Sequence, residues 1–457
     1  MSTKNRVTEV ESSIDVRKIK VKRFGKSFEI YPWLKGRLFH KMITGHETFQ
    51  KKDLSLYVKQ ILSLFYGCWN IFGRYDIWVF TTSMERRLVD GKYVDKLFDY
   101  IGNELGYKTL VFELRVFQYI PYRKIASRKA ISRSVLMLME TLYAKLFLRK
   151  IELEGEEELK QLLNTVEGGV DHPWLIRKYL AQYRIMTILL KRFPNPKLVM
   201  MSVAYTNFGY IQAFKEKGIK VIEMQHGVIT DNHHAYFYTA EMNAMQFPDM
   251  IFTNGERQKE VFTEDNKFQV GEVIPVGSYI IDHYKHRNTS KQRKKKQVLF
   301  AMQEGDIGDQ LVEFILNLSK DHEDKLDVII QPRRMDPRTY MQKWPELVNV
   351  GFSSSSFYSA ISKVDVHSTI YSTTAIESLS MGVPNILVNI EGQSLEQLGN
   401  VIGNNPYTHI VDTPEAFIEA LEKLTEVNGD EVMKSNAYNI KPGFKKNIKE
   451  VLKSLIK

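Results

Sequence analysis

The sequence predicts an α/β protein of two doubly wound, Rossmann-like domains facing a central cleft, and three observations carry that expectation. Short apolar runs alternate with helical stretches along most of the 457 residues, a rhythm that builds βαβ units and parallel sheets. The length exceeds what one hydrophobic core normally serves, which favours two domains. A basic segment at 291–296 (KQRKKK) interrupts the alternation, and a fresh strand–helix series starts after it.

The first series opens with YDIWVFT (75–81), read as a buried strand, followed by a polar loop, SMERRLVDGKYVD. A helix over 93–105 and a strand over 108–113 come next, then charged helical material over 150–192. Strands at 197–202 and 220–224 flank a helix at 208–216; PDMIFTNG (248–255) and VIPVGSYI (273–280) close the series. The second series holds a strand at 298–302, a helix at 309–318 and a strand at 326–331. Helices at 415–424 and 444–456 end the chain, the last basic and amphipathic. The expected domains are 1–285 with helical elaboration, 286–440, and a terminal helix at 441–457. No internal repeat argues otherwise.

A hydrophobic content of 43% with 26% charged residues belongs to an ordinary globular protein. The single cysteine, Cys68, excludes a disulfide framework and fits a reducing compartment. The N-terminus lacks the apolar core of a signal peptide and no run approaches a membrane span, so a cytoplasmic location is expected. The net charge of +10 calls for an anionic partner. Nucleic acid is not expected, because no zinc-ligand spacing, RNP-like aromatic motif or continuous basic helix is present. Residues 291–296 read as a solvated linker. The stretch ISRSVLMLMETLYAKLFLRK (131–150) reads first as a buried core helix. Its basic ends make an anionic membrane surface the alternative, with peripheral attachment at the inner face of the cytoplasmic membrane.

Three constellations carry chemistry. The most informative is VDVHSTIYSTTAIESLSMGVPNILV (364–388), where a strand ends in Ser372-Thr373-Thr374, opens a helix and passes through Gly382-Val383-Pro384 into a second strand. Hydroxyls at a helix start, with free backbone N–H groups and a positive dipole end, favour phosphate, and Glu377 follows within the first turn. The second is Gln225-His226-Gly227 after the strand at 220–224, with Asp231, His233 and His234 close behind. A histidine at a sheet's carboxyl edge can take a proton or bond a phosphate. Adjacent His233 and His234 do not suit one metal ion, so no metal is expected. The third is Gln331-Pro332-Arg333-Arg334, where proline ends a strand and aims an arginine at the sheet edge to hold a diphosphate. Gln303-Glu304-Gly305-Asp306-Ile307-Gly308 allows close approach of a ligand but is no dinucleotide fingerprint, and no P-loop is present.

With these residues in place, the chain resembles the GT-B glycosyltransferases. EMQHGVITDNHHAY and VHSTIYSTTAIESLSMGVPNIL look most like bacterial capsule and surface-polysaccharide transferases, the polysialyltransferase-like and glycerophosphotransferase-like group. The resemblance covers roughly 197–425. It implies a nucleotide-sugar donor in the second domain, held by Gly305, Arg333, Arg334, His367, Ser372, Thr373, Thr374 and Glu377. It implies a glycan or lipid-linked acceptor near Gln225, Gly227, Arg86 and Arg87. Some relatives carry His-Pro where this chain has Pro332-Arg333, so neither sialic acid nor glycerol phosphate is assumed.

The resemblance further implies a transfer without metal or other cofactor, in which helix dipole and cationic side chains meet the charge on the leaving phosphate. The expected base is His226, then His233 or Asp231, with Asp90 as an outside candidate. Two rival readings are a nucleotide-sugar 2-epimerase and a non-catalytic basic scaffold binding anionic glycan or membrane. The epimerase requires several carboxylates for proton exchange.

Overall fold

The computed structural model describes residues 3–44, 58–59, 61–89, 91–115, 119–165, 170–227, 229, 233, 235–262, 271–285, 294–333, 336–424 and 427–456. The chain divides into two compact units. Unit 1 comprises Met1–Thr253, Arg257–Pro275 and Ile448–Lys457; unit 2 comprises Asn254–Glu256 and Val276–Asn447.

Unit 1 is organised by a seven-stranded sheet: β1 (Ile77–Thr82), β2 (Thr109–Leu114), β3 (Ala130–Ser132), β4 (Leu198–Met201), β5 (Lys220–Met224), β6 (Met250–Thr253) and β7 (Glu272–Pro275). Its order is β7-β6-β5-β4-β1-β2-β3, every pair parallel. Strand β4 is apolar along its whole length and β1 over its first four residues because helices cover both faces, as parallel sheets require. The winding runs outward from β1 to β3, then returns to β4 and proceeds the other way, so its reversal lies between β1 and β4. Helices α1 (Tyr31–Thr44), α2 (Ser134–Phe147), α3 (His172–Arg192) and α4 (Phe208–Lys215) surround the sheet, with α3 packed on both α2 and α4.

The N-terminal segment joins the same core. The buried Glu11 carboxylate accepts from Lys35, 2.7 Å away, from the Tyr31 hydroxyl and from Thr239. Burial lowers Lys35 to about 8, against the pull of Glu11.

Unit 2 holds six parallel strands: β8 (Lys296–Ala301), β9 (Leu326–Gln331), β10 (Gly351–Phe352), β11 (Val366–Thr369), β12 (Asn385–Val388) and β13 (Thr408–Val411). Their order, β10-β9-β8-β11-β12-β13, is doubly wound with its reversal between β8 and β11. Helix α5 (Asp306–Asp321) follows β8, and the short α6 (Thr374–Ser380) follows β11. Both units are therefore Rossmann-like, and each has a carboxyl-edge switch point of the kind where open α/β sheets bind ligands.

Three details differ from the sequence reading. The stretch read as a polar loop is an antiparallel hairpin, Arg86–Val89 with Lys92–Asp95, turned at Gly91 with φ +80°. The helix read from residue 93 is confined to Asp99–Asn103, because Lys92–Asp95 is taken by that pairing. The unit limits also differ from 1–285, 286–440 and 441–457. Helix Tyr279–Lys285 packs within unit 2, where Tyr284 stacks on Tyr358 at 5.9 Å, and the division at Asn447 falls inside the helix Phe444–Leu455.

Of the stretch at 131–150, Ile131 and Ser132 belong to β3, and the helix Ser134–Phe147 is not a buried one. Within it only Leu136, Glu140 and Ala144, four residues apart, are buried, with Leu148 continuing the stripe just beyond its end. Glu140 is there held by Lys178 at 3.1 Å and by the Tyr210 hydroxyl.

Candidate functional site

In unit 2 the candidate residues gather at the switch point. The fully buried Thr369 donates from Oγ1 to the Ala301 carbonyl at 2.9 Å, tying the ends of β11 and β8. Beyond β8, Gly305 adopts φ +79°, a left-handed value that only glycine takes without strain, and the space where a Cβ would stand is open. Gly308 is packed against the Gln303 carbonyl so closely that a Cβ would clash. These glycines start α5, sixteen residues long, whose first N–H groups have no intrahelical acceptor. Exposed Arg333, beyond the end of β9, reaches over the same turn to Gln303 Oε1 at 3.5 Å.

Beyond β11 the Ser372-Thr373-Thr374 turn opens α6, but its backbone is less free than the sequence suggests. Ser372 Oγ accepts from the Thr374 N–H at 3.3 Å, and the Ser372 carbonyl accepts from Ala375 N–H at 3.1 Å. The Thr373 carbonyl takes the Ile376 N–H at 3.0 Å. Ser372 thus caps its own short turn; what the turn offers outward is the hydroxyl of exposed Thr373, whereas Thr374 Oγ1 is buried and has no partner among the described residues. Glu377 lies half-buried and accepts from the Tyr358 hydroxyl at 3.1 Å.

His367 is not a contact residue. It is fully buried in β11, its Nδ1 2.8 Å from Asn385 Oδ1, and burial lowers it to about 4 against that hydrogen bond. Asn385 in turn donates to the Ala375 carbonyl at 2.7 Å and accepts from Ser378 Oγ at 2.6 Å. His367 therefore fixes α6 from behind.

In unit 1 the Gln-His-Gly turn leaves the carboxyl end of β5. Gln225 is buried and its Nε2 donates to the Gly227 carbonyl at 2.8 Å, so it shapes the turn and presents nothing outward. Gly227 does not adopt positive φ and a Cβ there would meet open space, so the turn's sharpness comes from Gln225 rather than from glycine. His226 sits mostly buried beside Tyr205, ring centres 6.2 Å apart, and Tyr205 lies 5.8 Å from His233. Burial, and then Lys96, lower His226 to about 4, while a hydrogen bond to the Ser202 backbone opposes them. Burial and the neighbouring His226 lower His233 likewise to about 4. Both imidazoles are thus neutral at physiological pH, and His226 Nδ1 has no partner among the described residues.

Sequence reasoning gave Glu223, which opens the Glu223-Met224-Gln225-His226-Gly227 constellation, no role. This β5 carboxylate is fully buried, accepts from the Tyr236 hydroxyl at 2.7 Å and from Ala204 N–H at 3.1 Å, and keeps Oε2 unpartnered among the described residues. Burial pushes it up to about 7, against those two hydrogen bonds. The available signal was a charged residue inside the apolar run KVIEM.

The arginines expected at the acceptor are used elsewhere. Arg86 is buried with every N–H engaged: Nε and Nη2 donate to Glu113, Nη2 also to Ser127, and Nη1 to Asp99 at 2.6 Å and the Tyr93 carbonyl. It anchors the hairpin. Arg87 folds back on its own loop, donating to the Met84 carbonyl at 2.7 Å. Asp90, Asp231 and Arg334 lie outside the described residues. Among the described residues, no group of three or more His, Cys, Asp or Glu could hold a metal ion.

No family model matches the chain, and no curated protein matches it. Similar solved structures are glycosyltransferases and UDP-GlcNAc 2-epimerases. The Neisseria meningitidis UDP-GlcNAc 2-epimerase bound to UDP-GlcNAc is 15% identical with a TM-score of 0.48, over 83% of this chain and 98% of that one. The calicheamicin glycosyltransferase CalG4 is 14% identical, TM-score 0.48, over 84% and 99%. The wall teichoic acid polymerase TagF is 11% identical, TM-score 0.46, over 94% and 98%.

Proposed function

We infer that the protein is a GT-B-type glycosyltransferase that takes a sugar from a nucleotide donor. The observation that carries this reading is the unit 2 switch point. Two turns meet there, joined by the Thr369–Ala301 bond, and they bring together a glycine-opened helix start, the outward hydroxyl of Thr373 and an exposed arginine. Dipole, hydroxyl and guanidinium donors at one sheet edge suit a diphosphate.

In the reaction an acceptor hydroxyl attacks the anomeric carbon. The bond to the donor phosphate breaks, and the nucleotide leaves with the electron pair. Arg333 and Thr373 would stabilise the charge that builds on the leaving oxygen. The acceptor proton would pass to His226, whose neutral imidazole keeps Nδ1 without a partner among the described residues, although that atom is buried.

A 2-epimerase is the second reading, and Glu223 favours it: a buried carboxylate at about 7, bonded to Tyr236, whose ring lies 4.9 Å from that of His233, is suited to moving protons. Incubation with UDP-, CMP-, GDP- and CDP-sugars separates the two. Transfer releases free nucleotide in proportion to acceptor, whereas epimerisation interconverts nucleotide-sugars and releases none in the turnover. Neither product from any donor removes both readings.

A further inference from the structure

We propose that unit 1 docks on an anionic lipid bilayer through the exposed apolar surface on either side of its edge strand β3.

Two segments build the surface. On one side, helix α2 is apolar around most of its circumference although only one stripe of it is buried. Its outward stripe carries Leu142, 49% exposed, Leu146, 58%, and Phe147, 60%. On the other side, residues 61–72 run as successive turns that leave Leu62 and Trp69 each 80% exposed and Phe65 65% exposed. Large apolar groups at such exposure are ordinary one at a time; several on two segments that border the same strand mark an interaction surface.

The two segments are neighbours. The Tyr66 carbonyl accepts from Ser132 N–H at 3.0 Å, and Asn70 Nδ2 donates to the Ala130 carbonyl at 3.0 Å, so the turns lie along β3, and α2 begins at Ser134 directly after that strand. Tyr66 also stacks on Tyr122 with ring centres 3.7 Å apart.

Charge selects the occupant. Arg123, Lys124, Arg128 and Lys129 are exposed in the segment between Tyr122 and β3, and Lys145 and Arg149 are exposed at the end of α2. Apolar side chains flanked by basic ones are the composition of an interfacial anchor: the first enter the acyl boundary and the second meet anionic headgroups. The helix cannot serve as a span, since no helix among the described residues is long and apolar enough to cross a membrane.

The full chain should co-sediment with vesicles of phosphatidylcholine and phosphatidylglycerol at low salt, and far less with phosphatidylcholine alone. Trp69 reports insertion, because brominated acyl chains should quench it and the signal should vanish in Trp69→Phe. The double variants Leu62→Glu/Trp69→Glu and Leu142→Glu/Leu146→Glu change exposed positions, so the circular dichroism spectrum should be kept while partitioning falls about tenfold or more. Absence of binding to phosphatidylglycerol vesicles overturns the proposal, as does binding that neither double variant weakens. Self-association of the wild-type chain that both variants abolish, without vesicle binding, assigns the surface to a second copy and overturns it equally.

Discussion

Thr369 Oγ1 donates to the Ala301 carbonyl across 2.9 Å, a buried bond that joins the ends of the two strands between which the winding of unit 2 reverses. It couples the glycine turn after β8 to the hydroxyl turn after β11. Thr369→Val keeps the volume and removes the donor, leaving a buried carbonyl short of a partner. The expected loss is about 1–3 kcal/mol in urea unfolding, with weaker nucleotide binding in the folded variant.

Arg86 predicts a stability defect, not a binding one. Arg86→Met leaves Asp99 and Asp95 without their counter-ion and Glu113 with Arg115 alone, an expected cost of about 3–5 kcal/mol. Burial already raises Asp95 from 3.8 to about 7 against the pull of Arg86, and the variant raises it further. Because a raised folded pKa favours folding at low pH, the defect should be smaller at pH 5 than at pH 8. Equilibrium unfolding at the two values measures it.

Buried histidines set the acid side. His226, His233 and His367 have folded values of about 4 against an ordinary 6.5. Between these limits the unfolded chain binds more protons, so the stability from keeping the rings neutral is present above 6.5 and lost as pH falls toward 4. His367→Leu should remove one such contribution, flattening the slope of unfolding free energy in that window by about 1.4 kcal/mol per pH unit. A slope identical to that of the unaltered chain would contradict the assignment.

The two halves of the proposed chemistry separate by kinetics. Arg333→Ala and Thr373→Ala should raise the donor dissociation constant, the arginine by about tenfold to a hundredfold. His226→Ala should leave donor affinity nearly unchanged and lower turnover by about a hundredfold to ten-thousandfold. Full turnover in His226→Ala would remove it as the base.

Much of the fold was legible because central parallel strands are apolar runs bounded by helices: the strand read at 326–331 coincides with β9 and that at 220–224 with β5. The Arg86–Asp95 hairpin was hidden by its charge, although Asp90-Gly91 between alternating residues is a hairpin signal. Helix α2 misled in the other direction, since periodicity reports apolar character and not what covers it. At the site, sequence placed the hydroxyl turn but not the direction of its bonds. Nothing local says that Ser372 Oγ closes on Thr374, that Arg86 is consumed by residues up to 41 positions away, or that Glu223 is buried. Those facts belong to tertiary packing.

The central claim, that the unit 2 switch point holds a nucleotide diphosphate, is tested most directly by calorimetric titration of the purified chain with UDP, CDP, GDP and CMP. The account predicts saturable binding of at least one of these at a single site, weakened by Arg333→Ala and unaffected by His226→Ala. Absence of binding by all four, or binding that Arg333→Ala leaves unchanged, would contradict it.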